Sequence, residues 1–268
     1  MLQSKECIVI IPVYKLLSQN DKIAVNQAIK MTEGSDIVFI MPDNFIQDES
    51  FEAFRHIRIE RFNDIFFANI LGYNRLMLNI DFYKRFDSYK YMLIHQTDVY
   101  LFKPELLYWC KTNYDYIGAP WLYPNKLIKR KYHSFLINKC PWMLSHIRRR
   151  QIRHYNNVGN GGLSLRKIDT FIKILESNDT KSILDFYLEK QKFGIVAYNE
   201  DVFWSLEGPR LYNNFTKPDW QEAIYFAIEK KPAYAYNLMG KQLPFGCHAP
   251  LVFEFDFWKD HLPFSNPK

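Results

Sequence analysis

Three short runs of consecutive apolar residues constrain this chain more than any other feature: "CIVIIPVY" at 7–14, "DIVFIMP" at 36–42 and "YKYMLIH" at 89–95. Each is too short for a stable buried helix and lacks the every-other-residue alternation of a half-exposed strand. Each therefore reads as a strand covered on both faces. Helical patterns lie between them. "NDKIAVNQAIKMTEG" spaces Ile23, Ala24, Ala28 and Met31 along one face and ends at Gly34. "IRIERF" reads as a third, short strand. "DIFFANILGYNRLMLNIDFYKRF" reads as one long helical stretch with a break near Gly72. "PELLYWCKT" suits a helix with Pro104 in its first turn, and "YDYIGAPW" a short strand ended by Ala119 and Pro120. Strands alternating with helices predict an α/β domain whose mixed, mainly parallel central sheet is flanked by helices.

The second half is less regular. "NVGNGGLSLRK" reads as a glycine-rich turn leading into a helix start, followed by helices over 168–176 and 181–190. "YNEDVFWSLEGP" reads as a loop entering a short helix. In "KPDWQEAIYFAIEK", Asp219 and Glu222 have capping-box spacing. The tail, "LPFGCHAPLVFEFDFWKDHLPF", is aromatic and irregular. No repeat or linker divides the chain, so a single domain over 1–268 is expected.

Charge is unevenly distributed. Residues 126–156 hold nine Lys or Arg and no acid, whereas the remainder carries 26 basic against 29 acidic residues. The net charge of +6 therefore belongs to one segment. Leu, Ile, Phe, Trp and Met interleave with those bases. A segment of this kind suits an anionic membrane surface, an anionic saccharide, or plain solvation. Nucleic acid is not expected, because the rest of the chain is mildly acidic and shows no nucleic-acid motif. The 22 Phe, 18 Tyr and 6 Trp exceed what packing alone requires and permit stacking on sugars or bases. Cys7, Cys110, Cys140 and Cys247 form no CxxC pair, so neither a zinc site nor a disulfide framework is expected. "MLQSKECIVIIPVY" lacks signal-peptide character, and no apolar run reaches spanning length. A cytoplasmic location follows, with peripheral contact at the inner membrane face through 126–156.

Asp98 ends the apolar run "YKYMLIHQTD" where a strand should emerge from the sheet. Ligands of open α/β sheets bind at that edge. A desolvated carboxylate there needs a cation or a donor. On spacing alone, Asp98 reads equally as a cap or an arginine partner.

The surroundings resemble the GT-A glycosyltransferase superfamily. Tyr73, Arg75 and Leu76 match its Y-x-R-L helix, "YMLI" its strand, and Asp98 the second acid of its Asp-x-Asp motif, with Gln96 in place of the first. "IVIIPVY", "VGNGGLSLR", "NEDVFW" and "PFGCHAP" follow in the superfamily's order. Together with "DYIGAPW", the set is similar to a bacterial family of unknown function placed among glycosyltransferases by likeness.

The resemblance implies a site and a division of the chain. The nucleotide-binding half would cover 5–121, the basic insertion 122–156 and the acceptor-side half 157–268. Pro12, Val13, Tyr14, Arg75, Gln96, Thr97 and Asp98 would hold the donor nucleotide. Asn160, Gly161, Gly162 and Trp121 would face the sugar or acceptor. Asp98 and His248 would hold Mn²⁺ or Mg²⁺, with Gln96 adding an oxygen but no charge. Asp201, or Glu200, would take the acceptor proton if the anomeric centre inverts, as the Glu-Asp-Val pattern suggests. As helix-entry acids, both equally suit a purely structural role. The implied activity is transfer of a hexose-like sugar from a nucleotide-sugar donor to a saccharide or lipid-linked acceptor in surface polysaccharide assembly. The alternative is a non-catalytic sugar- or nucleotide-binding protein on the same fold.

Overall fold

The apolar runs pair with one another. In the computed structural model, which describes residues 5–123, 135, 139 and 154–265, strand β1 (Lys5–Pro12) runs parallel to both β2 (Asp36–Pro42) and β4 (Tyr89–His95). β3 (Arg58–Phe62) extends the sheet beside β2. All of β1's interior is sequestered, and its side chains alternate between two cores. Cys7, Val9 and Ile11 face one side with Phe39, Met41, Tyr91 and Leu93. Ile8 and Ile10 face the other with Val38, Ile40, Met92 and Ile94. Continuous apolar runs are what a sheet buried on both faces requires.

The connecting elements follow local chemistry. Helix α1 (Gln19–Met31) starts at Ser18, which exchanges capping bonds with Asp21. The long stretch read as one helix is divided by two asparagines. Asn69 caps α2 (Ile70–Met77), and Asn79 caps α3 (Ile80–Lys84). The expected break at Gly72 is absent. Gly72 lies inside α2, where any Cβ would collide with the Ile65 carbonyl. After β4 come β5 (Val99–Leu101), α4 (Leu106–Lys111) and β6 (Tyr116–Gly118). Pro104 precedes α4 rather than sitting in its first turn.

The larger correction concerns "LSLRK". These residues form strand β7 (Leu163–Lys167), antiparallel to both β4 and β6, and the helix starts only afterwards as α5 (Ile168–Glu176). The sheet order is thus β3-β2-β1-β4-β7-β6, with β7 alone reversed.

Downstream lie α6 (Asn178–Gln191), α7 (Glu200–Leu206), α8 (Gly208–Leu211) and α9 (Trp220–Phe226). Asp219 accepts from the Glu222 amide at the entrance to α9. The tail is more ordered than its composition suggests. It contributes β8 (Ala227–Ile228), α10 (Pro232–Leu238), β9 (Gly246–His248) and α11 (Phe255–Trp258), and β5, β9 and β8 make a second small sheet. Cys7, Cys110 and Cys247 are buried free thiols. Among the described residues no helix is long and apolar enough to cross a membrane. Most of the basic insertion, residues 126–134, 136–138 and 140–153, lies outside the described residues, and so does its expected membrane contact.

Candidate active site

Sheet order reverses direction between β1 and β4, so a crevice opens at their carboxyl ends, the usual place for a ligand in such sheets. A cavity of about 690 Å³ lies there. Tyr14, half exposed, enters it from the end of β1, and Gln96 from the end of β4. Tyr73 and Asn74 reach it from α2, Asn160, Gly161 and Gly162 from the approach to β7, and Glu200 and Asp201 from the start of α7. Glu229 and His248 complete its floor.

One corner gathers the strand-end residues. Pairing of β5 with β9 sets Val99 opposite His248. The imidazole Nε2 thereby lies 3.1 Å from Gln96 Oε1 and 3.4 Å from Asp98 Oδ1. Its Nδ1 faces Glu229 Oε1 at 3.3 Å. Burial alone would depress the His248 pKa, but the Asp98 and Glu229 carboxylates outweigh it and raise it to about 9. Partial burial pushes Asp98 upward, yet the bond and charge from His248 leave its carboxyl below the ordinary range. His95, the last residue of β4, is fully buried. Desolvation lowers its pKa to about 4, so it adds no charge beside Asp98.

These atoms suit a divalent cation by chemistry: one carboxylate oxygen, one imidazole nitrogen and one amide oxygen. Among the described residues no cluster of three His, Cys, Asp or Glu side chains is poised for a metal.

The opposite corner is tied down. Arg166, fully buried in β7, donates to Glu200 Oε1 at 2.9 Å, to Tyr83 Oη at 2.9 Å and to Ser164 Oγ at 3.0 Å. Asn74 Oδ1 accepts from the Glu200 backbone amide at 3.1 Å, and Asn74 Nδ2 donates to Asn199 Oδ1 at 3.2 Å. Glu200 Oε2 has no hydrogen-bond partner among the described residues. Burial raises the Glu200 pKa against the pull of Arg166. Asp201 has no such counter-ion within bonding reach among the described residues. Burial first, and the neighbouring Glu200 charge second, push it up to about 8.

The glycines make room for both corners. A Cβ on Gly161 would collide with the Glu200 carboxylate, and one on Gly162 with the His248 ring.

Not every expected residue reaches the cavity. Pro12 and Val13 are buried at the end of β1, Thr97 is buried in the turn, and none of the three lines the space. Arg75 and Asp98 are also absent from the lining: Tyr73 and Asn74 occupy the wall beside Arg75, and Asp98 meets the cavity through His248, 3.4 Å from its Nε2. Trp121 packs instead over Gly159 and beside the His154 ring. Asn74, Arg166 and Glu229 escaped the sequence reading. Asn74 lay within the Y-x-R-L stretch already singled out, and Arg166 within "LSLRK", which a strand reading would have placed on a buried face. Glu229 sits in "AIEKK", where nothing local distinguishes it from a surface acid.

Comparison with known proteins gives a family and a fold. The profile of the family described as "Protein of unknown function (DUF5672)" matches residues 56–248. No curated protein matches the chain. Among solved structures, the chain is similar to the galactosyltransferase LgtC crystallised with donor and acceptor sugar analogues. The TM-score is 0.53 and the identity 13%, over 90% of this chain and 86% of that one. At that identity the likeness establishes the fold, a GT-A-like, Rossmann-type α/β architecture.

Proposed function

The chain belongs to the DUF5672 family, and from that premise and the cavity's geometry we propose that it is a glycosyltransferase acting on a nucleotide-sugar donor. The reading rests chiefly on one observation. His248 is brought across 152 positions of sequence to within 3.1 Å of Gln96 Oε1, beside Asp98, at the sheet edge where such a donor would lie.

In this reading Asp98, His248 and Gln96 would hold Mn²⁺ or Mg²⁺ at the donor site. A cation there would neutralise the negative charge that builds on the departing nucleotide. The chain's own residues do the rest. Tyr14 offers a ring face to the base. The backbone at Gly161 and Gly162 floors the sugar site. Glu200, anchored by Arg166, presents Oε2 to a sugar hydroxyl. Asp201 takes the acceptor proton, and a pKa of about 8 lets a carboxylate do so with useful driving force near neutrality. A base in that role goes with inversion at the anomeric carbon. Retention of configuration in the product, read by NMR, would reassign Asp201 to binding a sugar hydroxyl. The acceptor is proposed to be a saccharide, free or lipid-linked, in surface polysaccharide assembly.

A second reading has its own support. Gln96 brings no charge, and among the described residues no group of three His, Cys, Asp or Glu side chains is arranged to hold a metal ion. A non-catalytic nucleotide-sugar binder would show binding without turnover.

Thermal-shift measurement across a panel of nucleotide sugars with Mn²⁺, Mg²⁺ or chelator tests the proposal. At least one donor should raise the melting temperature, and chelator or Asp98→Asn should abolish most of the rise. A flat response to a complete donor panel counts against the glycosyltransferase.

A further inference from the structure

Glu229 belongs to no motif and sits just past β8, with 8% of its surface exposed. Parallel pairing of β8 with β9 sets Ile228 beside Cys247, so the next residue along each strand, Glu229 and His248, are neighbours. Glu229 Oε1 accepts from Asn160 Nδ2 at 2.7 Å and faces His248 Nδ1 at 3.3 Å. Asn160 is itself fixed, because its Oδ1 accepts from the Gly162 amide at 3.0 Å. The carboxylate is therefore held in place independently of the imidazole. Lys230 Nζ also lies 3.9 Å from its Oε2, and the Asp201 carboxyl feels the Glu229 charge.

We propose that Glu229 is the positioning residue for His248: by accepting from Nδ1–H it fixes the ring's orientation and keeps Nε2 turned toward Gln96 and Asp98, where its lone pair would meet a cation held between them. The inference rests on the cation site proposed above. A carboxylate behind a ligating imidazole also raises that ligand's basicity, and losing such a partner typically weakens metal affinity about 10–100-fold. Glu229 does not serve as a ligand to the same ion. It lies on the Nδ1 side of the ring, whereas Asp98 and Gln96 lie on the Nε2 side.

The test is a Mn²⁺ titration followed by electron paramagnetic resonance, on wild type, Glu229→Ala and Glu229→Gln, with circular dichroism to show each is folded. Glu229→Ala should bind Mn²⁺ about 10–100-fold more weakly. Glu229→Gln, whose amide oxygen still accepts from Nδ1–H, should recover most of the loss. A structural role alone would not produce that rescue. A folded Glu229→Ala with wild-type Mn²⁺ affinity, or a Glu229→Gln that binds Mn²⁺ as weakly as Glu229→Ala, overturns the inference. Wild-type protein that takes up no Mn²⁺ overturns the cation site itself, and with it the purpose assigned to Glu229.

Discussion

The two acidic corners of the cavity are built on opposite principles. At the strand-end corner, Asp98 is 41% exposed and pairs with an imidazole whose other side is held by a second carboxylate, Glu229. At the helix-entry corner, Glu200 is almost wholly buried against an Arg166 that is wholly buried. In the proposed reading the first pairing is exchangeable, since a cation would take the place of the Nε2 proton. The second is a fixed brace, since neither partner can leave without stranding the other in a low-dielectric interior. A cavity of this design anchors its framework on one side and keeps its ligand chemistry on the other.

The largest effect should come from breaking the brace. Arg166→Met leaves the Glu200 carboxylate buried with no counter-ion, at a cost of roughly 3–5 kcal/mol in urea unfolding. Adding Glu200→Gln removes the stranded charge and should restore most of that loss. If Arg166→Met unfolds within about 1 kcal/mol of wild type, by the same standard, the corner is not a brace.

Glycine substitutions sharpen the contrast. Gly161→Ala drives a methyl into the Glu200 carboxylate, which Arg166 prevents from moving, so overpacking should cost about 1–3 kcal/mol of stability. Gly162→Ala drives a methyl into the His248 ring, which can yield only by leaving Glu229 for the cavity it borders. Its stability loss should be smaller and its loss of Mn²⁺ affinity larger. Unfolding curves and calorimetric Mn²⁺ titrations on the pair would rank them, and the reverse ranking breaks the comparison.

Protonation separates the corners further. Burial, then the Glu200 charge, hold Asp201 near pH 8, whereas an unfolded Asp titrates near 3.9. Between those values the folded chain holds a proton that the unfolded chain has released. The stabilisation this gives is complete below about pH 4 and is lost as pH rises through about 8. The ionised fraction grows about tenfold from pH 7 to 9, worth about 1.4 kcal/mol. If Asp201 is the base, initial rates should rise over that interval and level off. Rates that fall through pH 8 would make it an acid.

Legibility followed the same division. The strands β1, β2 and β4 were readable because a sheet covered on both faces demands continuous apolar runs. Asp98 stood out because it interrupts one. His248 was reachable only through motif resemblance, since nothing local links position 248 to position 96. The brace was invisible for a physical reason. A buried arginine in a five-residue strand looks like a helix start until β4 and β6 are known to flank it. Glu229 depends wholly on the pairing of β8 with β9, two strands of two and three residues that no hydrophobic period could reveal.

The smallest effect expected is the most diagnostic of the exchangeable corner. Without ligand, Asp98→Asn removes a carboxylate that is 41% exposed and paired with an imidazole that Glu229 still holds. Water reaches that carboxylate and its partner keeps a second counter-ion, so the stability change should stay well below that of Arg166→Met. The same substitution should nevertheless remove most of the donor-dependent thermal shift. A residue can be nearly silent in folding and decisive in binding only where its partner in the empty protein is a placeholder. If Asp98→Asn destabilises the ligand-free protein as much as Arg166→Met does, Asp98 is a second brace, and the cation would have no carboxylate to exchange into.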